Sequence, residues 1–102
     1  MDQKQLLLDI AMNCTRIGNW AADDYSGKKK RIDTFLHQTN EYVGQIDHSL
    51  SHEITKKTLE KFVLEFRQLQ QEAKSTPHDT LFWAEKMMTW GNILTHRASF
   101  IS

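Results

Sequence analysis

Apolar residues recur three and four positions apart along almost the whole chain, and this spacing limits the fold more than any other feature. The first run is Leu7, Ile10, Cys14, Ile17 and Ala21, with Leu6 and Trp20 on its flank. The second is Ile32, Leu36, Thr39, Val43, Ile46 and Leu50, with Phe35 beside it. Leu59, Phe62, Phe66, Leu69 and Ala73 make a third run, broadened by Ile54 and Val63. Trp83, Met87, Trp90, Leu94, Ala98 and Ile101 make the fourth. Side chains at such intervals share one face of an α-helix. No stretch alternates strictly between apolar and polar, and Pro77 is the only proline, so the pattern predicts helices and no sheet.

The expected helices span residues 3–22, 29–48, 51–74 and 77–99. Segments of about 20 residues are ~30 Å long, and short connections make consecutive helices antiparallel neighbours. The expected fold is therefore all-α: one domain over residues 1–102, an antiparallel up-down four-helix bundle. A chain of 102 residues with 39% hydrophobic content can bury a core without disulfides or metal staples.

Local punctuation supports these boundaries. Thr76-Pro77-His78-Asp79 reads as a helix start, with Thr76 as N-cap, Pro77 at the first helical position and an acid at the third. Between the first two runs, Asp23 and Asp24 stand near a helix C-terminus and Lys28 to Lys30 near the next N-terminus. Both placements oppose the helix dipoles, so these charges are expected to neutralise one another across the turn. The heptapeptide DHSLSHE, residues 47–53, contains no glycine or proline. The apolar pattern shifts phase there, from the 43/46/50 series to the 59/62/66 series, which predicts a turn. Ser49 or Ser51 would cap the third helix and Glu53 would lie in its first turn.

Thirteen basic residues balance thirteen acidic ones, so no general attraction to nucleic acid or to an anionic membrane is expected. The basic run Lys28 to Arg31 has Asp23, Asp24 and Asp33 around it and lacks interleaved aromatic readers. Three consecutive leucines flanked by Asp2 and Asp9 make neither a signal peptide nor a spanning segment. A cytoplasmic location is expected. Cys14 is the single cysteine, which excludes an internal disulfide and a Cys-rich zinc site. It lies on an apolar stripe and reads as a small buried hydrophobe.

His48 and His52 are four apart, the spacing that brings two imidazoles to one metal on a helix face. A catalytic zinc needs a third protein ligand, and Asp47 and Glu53 do not share that face. The Glu-x-x-His pattern of carboxylate bundles is absent too, so no metal and no cofactor is expected. His48-Ser49-Leu50 in a bundle of this length resembles part of the motif of histidine phosphotransfer domains. That resemblance implies signalling, with an imidazole nitrogen of His48 as phospho-acceptor. The lysine and glycine that follow the histidine in that family are replaced by Ser51 and His52. Arg31 and His37 are similar in spacing to the Arg-plus-His pair of HEPN-type ribonucleases, and as plain surface residues they flank Phe35 and Leu36. No Gly-rich phosphate loop is present, since Gly18, Gly27, Gly44 and Gly91 stand singly.

The fourth segment is the most informative. At 100° per residue its main stripe fills one arc, while Phe82, Ile93 and Phe100 fall on another, with Lys86 and Arg97 between the two. Either this helix touches neighbours on both flanks, or one arc serves a partner. Aromatic residues beside long basic stems suit interface cores. The chain is accordingly expected to be a small non-catalytic interaction or regulatory module. It would bind a protein, including a second copy of itself, through Phe82, Lys86, Ile93, Arg97 and Phe100. Phosphotransfer through His48 is the first alternative. A ligand pocket where Trp20, Trp83 and Trp90 converge, with room provided by Gly44 and Gly91, is the second.

Overall fold

The computed structural model describes residues 2–47 and 53–101. It contains α1 (Gln3–Asp24), α2 (Lys29–Val43), α3 (Glu53–Ala73) and α4 (Thr80–Ala98), and no strand among the described residues. α1 packs on α2 and α4, and α3 packs on the same two helices, with no diagonal contact among the described residues. This ring order is that of an antiparallel up-down four-helix bundle.

The apolar stripes supply the core. Leu7, Ile10, Cys14, Ile17 and Ala21 are buried along α1, and Phe62, Phe66 and Leu69 along α3. Each large side chain removed from water in this way contributes roughly 1.5–3 kcal/mol. Phe62 packs against Phe66 at 5.4 Å between ring centroids and meets Trp90 at 5.3 Å, close to edge-on. The indole Nε1 of Trp83, fully buried, donates to the carbonyl of Leu69 at 3.0 Å, which satisfies its one polar atom.

α1 and α4 form the closest helix pair, and two glycines allow it. Gly18 of α1 lies against Ala84 and Met88 of α4, while Gly91 of α4 lies against Ala11 and Thr15 of α1. Neighbours that fall in sequence on one helix as they rise on the other show that the two helices run antiparallel.

Two helix ends differ from expectation. α4 begins at Thr80, with Asp79 rather than Thr76 as N-cap: the Asp79 carboxylate accepts from the backbone N–H of Phe82 at 3.0 Å. Thr76 instead turns the chain at a φ of 51°, and Pro77 is buried ahead of the helix. A carboxylate is a strong N-cap acceptor, which lets Asp79 take the role three residues later. α2 ends at Val43, not at residue 48. Bonds from Gln45 N to Tyr42 O and from Ile46 N to Val43 O tighten the chain after Gly44, so Ile46 reaches the core from a turn.

The charged link between α1 and α2 is internally neutralised. Lys28 pairs with Asp23, and that contact holds the Asp23 carboxyl below its ordinary range, first by hydrogen bonding and then by charge. Lys29 reaches Asp33 at 3.2 Å and also donates to the Ala73 carbonyl at 3.1 Å, tying the start of α2 to the end of α3.

Candidate interaction surface

The wide apolar girth of α4 divides into three strips. Ala84, Met88 and Gly91 face α1. Trp83, Met87, Trp90 and Leu94 fill the bundle interior. The remaining strip, which carries Phe82, Lys86, Ile93 and Arg97 and is continued by Phe100 in the turn after the helix, borders α3.

This border is a seam with an intramolecular side and an open side. Lys86 Nζ stands 4.0 Å from Glu65 of α3, and Arg97 Nε donates to Thr58 Oγ1 at 3.0 Å. The same basic groups cover aromatic rings: Lys86 lies 4.8 Å from the Phe82 centroid, and Arg97 lies 5.9 Å from that of Phe100. Such cation–π contacts hold the stems flat along the seam. Ile93 is partly buried and packs on the core. Phe82 and Phe100 remain 55% and 46% exposed, too much for core residues.

α3 contributes residues that the apolar periodicity assigns elsewhere or passes over. Ile54, expected to broaden the core stripe, is 56% exposed, and Leu64 is 70% exposed. Ile54 shares a stripe with Thr58, Lys61 and Glu65 rather than with the buried Leu59, Phe62 and Phe66. The pairings of Thr58 with Arg97 and Glu65 with Lys86 set an antiparallel register that brings Ile54 to the level of Phe100. Leu64 borders the same seam beside Lys61, Glu65 and Lys86. A groove of about 310 Å3 runs along it, lined by Lys61, Glu65, Phe82, Glu85, Lys86 and Ile93 among others. Two lysines and two glutamates thus border exposed apolar side chains from both helices.

The tryptophans do not converge. Trp20 stacks edge-on against Phe35 at 4.9 Å and lies under Arg31 at 5.2 Å. Trp83 meets Tyr25 at 5.6 Å, and Trp90 meets Phe62. Gly91 is filled by its neighbours on α1, and Gly44 caps α2 rather than opening a space inside it. Arg31 and His37 separate as well, Arg31 toward Trp20 and His37 to Glu41 at 2.9 Å. Cys14 is fully buried, and burial pushes its thiol up to about 12, so it stays protonated and unreactive.

His48 and His52, the candidate phospho-acceptor and metal pair, lie outside the described residues, as do Ser49 and Ser51. Among the described residues no three His, Cys, Asp or Glu side chains are placed to hold a metal ion. No helix among them is long and apolar enough to cross a membrane. Neither a protein-family model, nor a curated protein, nor a solved structure matches the chain.

Proposed function

We propose that the protein is a non-catalytic, cytoplasmic interaction module that associates with a second copy of itself through the α3–α4 seam. The supporting observation is that exposed Phe82 and Leu64 flank two lysines and two glutamates on the seam, with Ile54 and Phe100 also exposed. A two-fold contact places the same patch on both partners. A patch that carries both charge signs beside apolar anchors can satisfy itself in that arrangement. Lys86 and Arg97, already extended along the seam by Phe82 and Phe100, lose little further freedom on docking.

Sedimentation velocity and native mass spectrometry over a concentration series test this reading. The wild-type chain is expected to form a dimer that Phe82→Glu and Leu64→Glu each convert to a folded monomer with unchanged helical circular dichroism. A wild-type chain that remains monomeric at the highest concentration would overturn self-association. A dimer indifferent to both substitutions would move the interface away from the seam.

A further inference from the structure

A second groove, independent of the α3–α4 seam, runs between α2 and α3. It is larger, about 710 Å3, and most of its lining residues are polar. Leu36 stands between them as an apolar floor, while Asn40 lines the α2 side and Arg67, Gln70, Gln71 and Lys74 line the α3 side. Arg67, Gln70 or Gln71, and Lys74 are spaced as one stripe along α3.

Donor chemistry distinguishes this groove. Asp33, its one carboxylate, is engaged by Lys29, and Lys29 is further tied to the Ala73 carbonyl. Arg67 and Lys74 have no ion-pair partner among the described residues, and the amides of Asn40, Gln70 and Gln71 make no side-chain hydrogen bond there. The groove therefore offers many N–H donors, a few amide acceptors and no free carboxylate. It matches an occupant that presents anions at two points and both donors and acceptors between them.

Spacing narrows the occupant. Arg67 and Lys74 stand seven positions apart, the second just past the end of α3, a rise of ~10 Å. Three residues of peptide in the polyproline II conformation cover ~9 Å and return the side chain to the same face. The intervening carboxamides of Gln70 and Gln71, with Asn40 opposite, match the alternating N–H and C=O groups of a peptide backbone. We infer that the α2–α3 groove binds an acidic peptide segment of a partner protein in the polyproline II conformation, with two Asp or Glu residues three positions apart on one face. One carboxylate pairs with the guanidinium of Arg67 and the other with the ammonium of Lys74 beside Lys29, while the backbone between them bonds to the amide walls.

The test uses the full chain and a fluorescein-labelled peptide, Gly-Glu-Ala-Ala-Glu-Gly, followed by anisotropy and by backbone amide shifts. The peptide is expected to bind more weakly as salt rises, with shifts at Asn40, Arg67, Gln70 and Gln71 but not at Phe82 or Ile93. Replacing both glutamates of the peptide by glutamine, or combining Arg67→Gln with Lys74→Gln in an otherwise folded chain, should weaken binding by about tenfold or more. Equal affinity for the glutamine peptide, or shifts confined to the α3–α4 seam, would overturn the assignment. Binding of inorganic tripolyphosphate without binding of the peptide would also overturn it, in favour of a phosphate ligand. None of these outcomes depends on whether the seam forms a dimer.

Discussion

A Cβ built on Gly18 would stand 2.8 Å from the backbone carbonyl oxygen of Ala84, and it would also meet Met88. On the facing helix, a Cβ on Gly91 would stand 3.0 Å from the carbonyl of Ala11 and would meet the Thr15 hydroxyl. The two notches lie one to two turns apart near the middle of the α1–α4 contact. Alanine would favour each isolated helix by about 1 kcal/mol, but overpacking a tight contact costs about 1–3 kcal/mol. At Gly18 the obstacle includes backbone, which cannot rotate away, so Gly18→Ala is expected to lower stability by about 1–2 kcal/mol. Gly91→Ala should cost less, because its nearest backbone atoms, at 3.0 and 3.2 Å, stand farther off than the 2.8 and 3.0 Å at Gly18. Urea unfolding of both variants checks the sign and the order; a stabilised Gly18→Ala would mean that α1 and α4 separate easily.

Thr76 presents the opposite case, a side chain where glycine belongs. Its φ of 51° is a left-handed conformation that a β-branched residue adopts only under constraint. The following Pro77 is buried, so the chain cannot relax by moving it outward. Left-handed backbone costs roughly 1–2 kcal/mol for a side chain with a Cβ, and the added freedom of glycine in the unfolded chain returns part of that. Thr76→Gly is expected to raise stability by about 0.5–1 kcal/mol, and Thr76→Asn by a smaller amount. A drop in thermal midpoint for both variants would show that the threonine side chain makes a compensating contact.

The hydroxyl of Tyr25 is buried and makes no hydrogen bond among the described residues. Burial first, and then the charge of Asp33, push its titration up. The ring itself is well used, edge-on to Trp83 at 5.6 Å and beneath Lys29 at 5.8 Å. Phenylalanine keeps those contacts and removes an unsatisfied polar atom, whose burial costs about 1–3 kcal/mol. Tyr25→Phe is therefore expected to be neutral or to stabilise by about 1 kcal/mol. A loss of that size in chemical denaturation would reveal a hydrogen-bond partner for the hydroxyl.

Which residues face the interior was legible in the sequence, because burial follows the period of the helix. Ile10, Ile17, Phe62, Phe66, Met87 and Leu94 all lie where the three-and-four spacing puts them. Which helices are neighbours followed from the short connections, but the register and closeness of each pair were not legible. Gly18 and Gly91 look like two more isolated glycines until the register of α1 on α4 sets each against a backbone carbonyl. Helix ends were partly legible: both Thr76 and Asp79 are N-cap residue types, and a buried Pro77 decides between them only in three dimensions. The seam was half legible. Phe82 and Phe100 stand out on α4 by their arc, whereas Ile54 and Leu64 carry no such mark, since a single aliphatic residue on a polar stripe has no periodic partner.

Cys14 supplies a pH dependence whose sign follows from its burial. Its thiol titrates at an ordinary value of 9.0 when solvated and at about 12 inside the bundle. Between those values the unfolded chain releases the proton while the folded chain keeps it. The folded state then binds more protons, so stability is complete below the unfolded value and falls as pH rises, by up to ~1.4 kcal/mol per unit. Tyr25 has the same sign at higher pH, because its titration is also raised, so the contribution of Cys14 must be isolated by difference. Unfolding free energies of the wild-type chain and Cys14→Ala, measured from about pH 8 to about pH 10, should converge as pH rises, with the wild type losing stability faster. The same protection should make alkylation of Cys14 proceed only through opening of the bundle, at a rate that Gly18→Ala increases. Parallel pH curves together with fast alkylation of the folded chain would show that the thiol reaches solvent and that the α1 core is looser than its packing indicates.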